Sequence, residues 1–497
     1  MEYSLQDLLE ATKENPRLID SALVEKAWNF ARLAHGDQKR LSGEPFITHP
    51  IKVALTLAQW KMDDISIAAG LLHDTVEDGG ATRQDLEKEF GPEVTQLVEG
   101  VTKISGIHIK GSTQQEFIEN LRKMILVMAK DLRVVIIKLA DRLHNMQTLS
   151  SLSPERQLKN SQETLEIYAP LAERLGMGEV KGMLEDLAFP YVYPEEYEKF
   201  IAKTSRAYQD TEFYADQLKK SLLPALATEI PGFSFNIRRK HLYSLWGKLR
   251  RAEIDWELER IHDLVAARII VETIEQCYVA LGIIHAKFRP VPSLGVSDYI
   301  ANPKPNGYRS IHTKVFGPHG HIIEIQIRTR QMHEEAEMGL SAHWYYAQQK
   351  RGRSHEEVDR GFFVPSDKLS WIKKLLEWQN QISDNSEYLR ALKFDALSHR
   401  NLVFSPKGDV YDLPAGATPV DFAYTVHSEM GHRASAAKVN DRRVPLDYRL
   451  QNGDMVEIEL DRRRRAPSSK WLEFVVTTHA RHAIQRSIRE EREKTKA

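Results

Sequence analysis

Cysteine is nearly absent: Cys277 stands alone among 497 residues. That excludes an intrachain disulfide and a thiolate zinc cluster, and suits a reducing compartment. No activating group stands beside it, so it reads as a small buried hydrophobe near a strand end rather than a nucleophile. An excess of either charge is also missing, with Lys+Arg 69 against Asp+Glu 70 and a formal net charge of -1. No global basic field marks a nucleic-acid binder, and any such role falls to local patches. No stretch approaches the length needed to cross a bilayer, and Met1-Glu2-Tyr3-Ser4-Leu5 lacks the basic start of a signal peptide. The expectation is a soluble, cytoplasmic protein with no membrane partner. Short-period repeats and low-complexity tracts are lacking too, while the length exceeds a single core and predicts two to four domains.

What is present is concentrated first in Ala68-Ala69-Gly70-Leu71-Leu72-His73-Asp74-Thr75-Val76-Glu77-Asp78. On a helix, Asp74, Glu77 and Asp78 share a face while Leu71 and Leu72 turn inward. Acids held partly out of water attract a divalent cation. His49 stands before Pro50 at a helix start, and Asp141 opens Asp141-Arg142-Leu143-His144-Asn145 on a later helix. His49, His73, Asp74 and Asp141 form an N2O2 set suited to Mn, Fe or Mg. Glu77 and Asp78 are placed to position or deprotonate a water whose pKa the cation lowers. Arg40 can meet a phosphate. Asn145 and Thr148 share a polar face opposite Leu143, Met146 and Leu149, and can line a nucleotide pocket.

Apolar periodicity predicts helices over 21–35, 50–60, 64–77, 84–101, 114–130, 133–149 and 155–175, hence a helical bundle over 1–195. Gly100-Val101-Thr102-Lys103 to Gly111-Ser112 reads as a mobile loop interrupting it. Arg40-Leu41-Ser42-Gly43-Glu44-Pro45, the run His73 to Asp78 and Leu139-Ala140-Asp141-Arg142-Leu143-His144-Asn145-Met146 together resemble the hydrolase part of the bifunctional Rel/SpoT alarmone enzymes, a branch of the HD phosphohydrolases. The resemblance implies Mn2+ on the four ligands and nucleotide contacts from Arg40, Ser42, Asn145 and Thr148.

From 196 to 230 the chain reads as a charged helical connector. Phe233-Ser234-Phe235-Asn236-Ile237-Arg238 then alternates as a strand does, and a helical period returns up to Leu249. Lys240, Ser244 and Lys248 recur every four residues after Arg238, a row that can grip a polyphosphate. Ile261 to Val271 reads as a buried strand entered through Asp263. In His321-Ile322-Ile323-Glu324-Ile325-Gln326-Ile327-Arg328, Glu324, Gln326 and Arg328 share one face and the isoleucines the other. Asp263 and Glu324 can hold Mg2+ between two strands. The turn-rich segment Asn302 to His312 lies between them, and Tyr308 offers a ring face to a purine.

This set resembles the synthetase domain of the same enzymes, related in fold to nucleotidyltransferases. By that resemblance Arg238, Lys240, Ser244 and Lys248 bind ATP, and Asp263 and Glu324 bind Mg2+, with Glu324 also the base for the acceptor 3′-hydroxyl. Tyr308 stacks on guanine; Lys304, Asn306 and His312 contact GDP or GTP; Arg268, Gln326 and Arg328 complete the nucleotide site. One departure stands out: where the family carries a charged signature before Tyr299, this chain has Gly295-Val296-Ser297-Asp298, which leaves the GDP or GTP preference open.

Beyond 350 a polar linker and a helix over 371–392 precede a small unit. A hairpin over Leu402–Leu413 turns at Pro406-Lys407-Gly408-Asp409, a helix starts at Thr418-Pro419 and ends at Gly431, and strands follow near Val439 and over 452–459. This resembles the β-grasp TGS domain, which implies regulation by deacylated tRNA and the ribosome through His427 or His432. Arg462 to Arg465 form a basic run, read as a solvated face.

The whole reads as a multidomain α plus α/β chain: an all-helical HD-type domain (1–195), a nucleotidyltransferase-like α/β synthetase domain (196–350), a linker and helix (351–398), a TGS β-grasp (399–462) and a tail (463–497). The resemblance implies two activities. One is Mn-dependent hydrolysis of ppGpp or pppGpp to GDP or GTP and pyrophosphate; the other is ATP-dependent pyrophosphoryl transfer to GDP or GTP, releasing AMP. The alternative is a hydrolase-dominant or hydrolase-only member with a weak synthetase. Two opposed sites on one chain predict that nucleotide at one disfavours the active arrangement of the other.

Overall fold

A computed structural model describes residues 3–13, 15, 19–105, 122, 124–250, 256–258, 261, 264–292, 294–303, 307–339, 400–451, 453–461, 464 and 466–496. The chain divides into two compact units, Met1–Ser370 and Trp371–Ala497.

The first unit begins as a helical bundle: α1 (Leu5–Lys13), α2 (Ser21–His35), α3 (Thr48–Gln59), α4 (Asp64–Leu72), α5 (Arg83–Ser105), α6 (Arg133–Gln147), α7 (Pro154–Glu163) and α8 (Ala169–Arg174). Asp20 caps α2 through the amides of Ala22 and Leu23, and Asp63 caps α4 through Ser66. The centre of the bundle is α6, whose residues from Arg133 to His144 are all buried. Three expectations change here. The helix expected over 64–77 ends at Leu72, and residues 73–79 wind on as turns. The segment Gly100–Lys103 is not a loop: α5 runs to Ser105 with Val101 and Ile104 buried. Gly100 is there for close packing, since a Cβ on it would lie 2.7 Å from Val134. The remainder of that predicted loop, and most of 114–130, lie outside the described residues. The helix expected over 155–175 is interrupted by a π-turn at Thr164–Tyr168.

Two further helices, α9 (Gly178–Val192) and α10 (Pro194–Glu229), lead to a five-stranded sheet. Its strands are β1 (Ser234–Arg239), β2 (Val265–Val271), β3 (Val296–Asp298), β4 (Ile311–Phe316) and β5 (Ile322–Thr329), in the order β1-β2-β5-β4-β3. Strands β2 and β5 are parallel and the other neighbours antiparallel. The isoleucines of β5, at 323, 325 and 327, are fully buried with Leu218, Leu222 and Leu226 of α10 on one face. That face also receives Cys277, which lies on α12 (Ile274–Lys287) and not near a strand end; α11 (Leu242–Leu249) lies between β1 and β2, and α13 (Arg330–Met338) follows β5. Burial, then Glu275 and Asp298, push the Cys277 thiol up to about 12, in keeping with an inert role.

In the second unit, β6 (Arg400–Phe404) and β7 (Val410–Pro414) form the expected hairpin. Strands β8 (Ala434–Val439), β9 (Arg442–Val444) and β10 (Val456–Leu460) form a sheet in the order β10-β8-β9. Thr418 and Asp421 close a capping box on α14 (Pro419–Val426). That helix ends at Val426, not at Gly431, which sits inside α15 (Ser428–Arg433) because a Cβ there would strike the Tyr424 ring at 2.4 Å. Buried Asp421 also accepts from the amides of Val476 and Thr477, tying α16 (Thr478–Lys496) to the grasp. The helix expected over 371–392 lies outside the described residues. Among the described residues no helix is long and apolar enough to cross a membrane.

Candidate metal and nucleotide sites

Three elements of the bundle bring the predicted metal ligands together. His49 comes from the first turn of α3, His73 and Asp74 from the end of α4, and Asp141 from the middle of α6. Ligating atoms of His49, His73 and Asp141 all lie within 4.8 Å of one another, and all three residues are buried. His49 Nε2 lies 3.1 Å from Asp141 Oδ1, 3.5 Å from Asp74 Oδ2 and 3.2 Å from His73 Nε2. Two imidazoles and the Asp141 carboxylate converge through one atom each, with one Asp74 oxygen turned to each imidazole, a donor set that fits a divalent cation. Both carboxylates are ionised. Burial opposes this for Asp74, but His73 and then His49 outweigh it and hold its pKa at about 2. For Asp141, Lys138 is the chief opponent of burial and keeps the carboxyl well below its ordinary range. His73 Nδ1 donates to the Gly70 carbonyl at 2.8 Å, which turns Nε2 toward the cluster.

Glu77 and Asp78 stand exposed at the mouth of this cluster, on turns rather than on a helix face. Partial burial and then Asp74 raise the pKa of both, the direction a proton acceptor for water needs. The loop before α3 is a small hairpin closed by Arg40 N to Glu44 O at 2.8 Å, with Gly43 at φ 86°. It carries Arg40 inward: Nη2 donates to Asn145 Oδ1 at 3.2 Å and to Thr148 Oγ1 at 3.3 Å. Ser42 is exposed at the tip of the hairpin. Arg40, Asn145 and Thr148 line a cleft of about 320 Å³ with Phe46, Met146 and Leu152, a half-apolar shape suited to a base and sugar.

A second constellation lies on the open face of the sheet. Strand register places Arg268, Gln326 and His312 in one row and Arg238, Ala266, Glu324 and Lys314 in the next. Side chains two apart on a strand share a face, so these polar groups converge. Tyr308 Oη and His312 Nε2 lie 2.8 Å apart, His312 Nδ1 lies 3.4 Å from Glu324, and Gln326 Nε2 donates to Glu324 at 2.9 Å. The guanidiniums of Arg238, Arg268 and Arg328 crowd the other end. Arg268 and Arg328 share Glu337 at 3.0 and 2.9 Å. Burial, then Arg328, lower the Arg268 pKa to about 10. Arg268 Nε and Nη2 and Arg328 Nε are buried without a hydrogen-bond partner among the described residues, which suits an incoming anion. Lys240 follows β1 directly, and Ser244 and Lys248 lie on α11, with Leu245 and Leu249 buried opposite. Asp263, Lys304 and Asn306 lie outside the described residues. Of the departing Gly295-Val296-Ser297-Asp298, the aspartate braces the turn that follows it, with Oδ1 accepting from the amides of Ile300 and Ala301 and Oδ2 from Tyr278.

Residues 27–178 match the family described as HD domain, 237–351 the region found in RelA / SpoT proteins, and 402–459 the TGS domain. A GTP pyrophosphokinase of Myxococcus xanthus is 44% identical over 479 residues, 96% of this chain and 62% of that protein. The chain belongs to the RelA/SpoT family. A guanosine-3′,5′-bis(diphosphate) 3′-pyrophosphohydrolase of Aquifex aeolicus is 45% identical over 476 residues, 95% of the chain and 65% of that protein. The bifunctional (p)ppGpp synthase/hydrolase RelA of Mycobacterium tuberculosis is 41% identical over 491 residues, 98% and 65% respectively. The chain thus spans about three fifths of the length of the curated relatives it matches.

Sequence reading of this RelA/SpoT chain missed two groups. Lys138 and His144 flank Asp141 by three residues on α6, a helical spacing that marks them as its neighbours; Lys138 Nζ donates to Asp141 Oδ2 at 2.5 Å. The second group is α9, which no motif signals. Its Glu179 pairs with Arg238 at 2.6 Å, Glu185 accepts from Ser244 at 3.3 Å, and Asp186 meets His241 Nδ1 at 2.8 Å. A Cβ on Gly182 would lie 2.1 Å from the His241 ring, so the glycine lets the joint close. In the second unit His427 Nδ1 accepts from the Glu429 amide, and His432 Nδ1 lies 3.0 Å from Tyr424 Oη.

Proposed function

We propose that this chain is a bifunctional alarmone enzyme, with a hydrolytic domain over 1–195, a synthetic domain over 196–350, a linker over 351–398, a TGS unit over 399–462 and a tail over 463–497. What carries the reading is the convergence of His49, His73, Asp74 and Asp141 beside a cleft headed by Arg40. These four residues would hold Mn2+. When bound, the ion supplies positive charge that acidifies water and offsets phosphate charge. Arg40, with Ser42, Asn145 and Thr148, holds the nucleotide so that its 3′-diphosphate meets the cluster. Glu77 or Asp78 takes the proton as water breaks the bond between the 3′-oxygen and the diphosphate, leaving GDP or GTP and pyrophosphate.

At the sheet, Arg238, Lys240, Ser244 and Lys248 grip ATP with Arg268 and Arg328, while Asp263 and Glu324 would hold Mg2+, which when bound offsets phosphate charge. Tyr308, with Lys304, Asn306, His312 and Gln326, seats GDP or GTP. Glu324 takes the 3′-hydroxyl proton; the 3′-oxygen attacks the β-phosphorus, the α–β bridge breaks, and AMP leaves. Deacylated tRNA and the ribosome act through the TGS unit in the cytoplasm. Arg238 and Ser244 are engaged by Glu179 and Glu185 of α9, a helix packed also on α6, which carries Asp141. ATP therefore competes with α9, and each site disfavours the other.

The decisive experiment runs both directions. Release of pyrophosphate from ppGpp with Mn2+, lost in Asp74→Ala, and formation of AMP from ATP and GDP with Mg2+, lost in Glu324→Gln, support both activities. The same engagement of Arg238, with Gly295-Val296-Ser297 in place of charges, favours a second reading in which only the hydrolase works. Absence of AMP in the second assay selects it; absence of pyrophosphate in the first rejects both.

A further inference from the structure

The two metal-directed imidazoles are oriented by different kinds of acceptor. His73 Nδ1 faces a backbone carbonyl, Gly70 O at 2.8 Å, which can only accept. His49 Nδ1 instead faces another imidazole: His144 Nδ1 lies 2.7 Å away, with the ring centroids 5.0 Å apart and the ring planes inclined by 29°. Two ring nitrogens at that distance need one proton between them, and geometry alone does not say whose it is. Arg40 decides it. Its Nη1 lies 3.0 Å from the same His144 Nδ1, and a guanidinium has no lone pair to offer, so it can only donate. His144 Nδ1 is therefore unprotonated, its one lone pair shared between Arg40 and His49, and its own proton sits on Nε2. The proton in the contact belongs to His49 Nδ1, which leaves His49 Nε2 bare. That nitrogen is the one 3.1 Å from Asp141 and 3.5 Å from Asp74. His144 is 7% exposed, so water does not replace it readily as an acceptor.

We propose that His144 is a positioning residue: through Nδ1 it fixes the proton of His49 on the side away from the metal cluster, and it does so only as the tautomer that Arg40 enforces. Arg40, the group offered to the substrate phosphate, thereby also sets the readiness of a metal ligand. The proposal rests on the divalent-metal reading of His49, His73, Asp74 and Asp141, and goes beyond it in giving His144 a role.

The test is Mn2+ titration by isothermal calorimetry on the full chain, unsubstituted and as His144→Leu and His144→Asn, with thermal melts alongside. Leucine removes the acceptor; asparagine returns an oxygen close to the position of Nδ1. His144→Leu is expected to weaken Mn2+ binding about tenfold to a hundredfold, as loss of an outer partner of a metal-bound histidine does, and His144→Asn to recover most of it. No Mn2+ uptake by the unsubstituted protein removes the metal reading and this inference with it. Uptake by the unsubstituted chain that is unchanged in His144→Leu, or equally weak in both folded variants, overturns the inference alone. Nitrogen-15 NMR of the unsubstituted protein needs no variant to fold: the proton must appear on His49 Nδ1 and on His144 Nε2, and the reverse pattern refutes it.

Discussion

Asp141 in the bundle has both oxygens engaged by its own helix, Oδ2 by Lys138 and Oδ1 by Asn145, each at 2.5 Å. Arg238 on the sheet reaches instead to Glu179 of α9, which packs against the bundle as well as against α11. The contrast separates two ways of keeping charge near a site. The helical cluster neutralises its carboxylates internally, so its geometry follows once the bundle core forms. The sheet site borrows its counter-charges from a neighbouring helix, and any anion entering the site must displace them. A preorganised site and a guarded one thus share a single unit.

The sharpest way to break the contrast is Asp141→Ala. It removes the chief counter-charge of the buried Lys138 ammonium, and removing one partner of a buried pair costs about 3–5 kcal/mol; chemical denaturation should read that loss, with hydrolysis abolished. A stability within error of the unsubstituted protein would mean that the cluster is not internally balanced. Next, Glu77→Gln should lower kcat for pyrophosphate release by about 10²–10⁴-fold while Mn2+ affinity, measured by calorimetry, stays put. A similar loss in AMP formation would show the two sites to be one machine rather than two.

Gly182→Ala tests the guarded side. Overpacking the His241 joint should cost about 1–3 kcal/mol, and, with α9 pushed off Arg238, the KM for ATP should fall; a raised KM would mean that α9 supports the site instead of guarding it. The smallest effect expected is from pH. Burial works against a proton on His241, but Asp186 and then Glu179 outweigh it and raise the pKa to about 9. The folded value lies above the ordinary one, so the stabilisation is complete below about pH 6.5 and disappears as pH rises through 9. Melting temperature should therefore decline between pH 7 and 9.5, and less so in His241→Gln; parallel declines would place the titration elsewhere.

Much of both sites could be read from local spacing. His73-Asp74 and Asp141 with Asn145 and Thr148 are near neighbours on single elements, and the alternation in β5 fixed which residues join Glu324 on one face. The reading went astray where packing overrides pattern. Gly100 looked like a loop glycine, yet Val134 needs its missing side chain; Gly431 looked like a helix stop, yet it makes room for Tyr424. The acidic run after His73 looked helical, yet α4 ends at Leu72 and turns carry Glu77 and Asp78 outward. Nothing in the sequence linked Glu179 to Arg238, because 59 residues separate them and an ion pair leaves no periodic trace.

The sequence by itself determined the element types, the three successive family segments and the identity of the donor groups, since these follow from residue chemistry and from spacings within one helix or strand. Only the tertiary structure decided that His49 meets His73 and Asp141, that Arg40 and His49 both meet His144, and that α9 pairs with Arg238, Ser244 and His241. Those are contacts between distant parts of the chain, set by how whole helices pack.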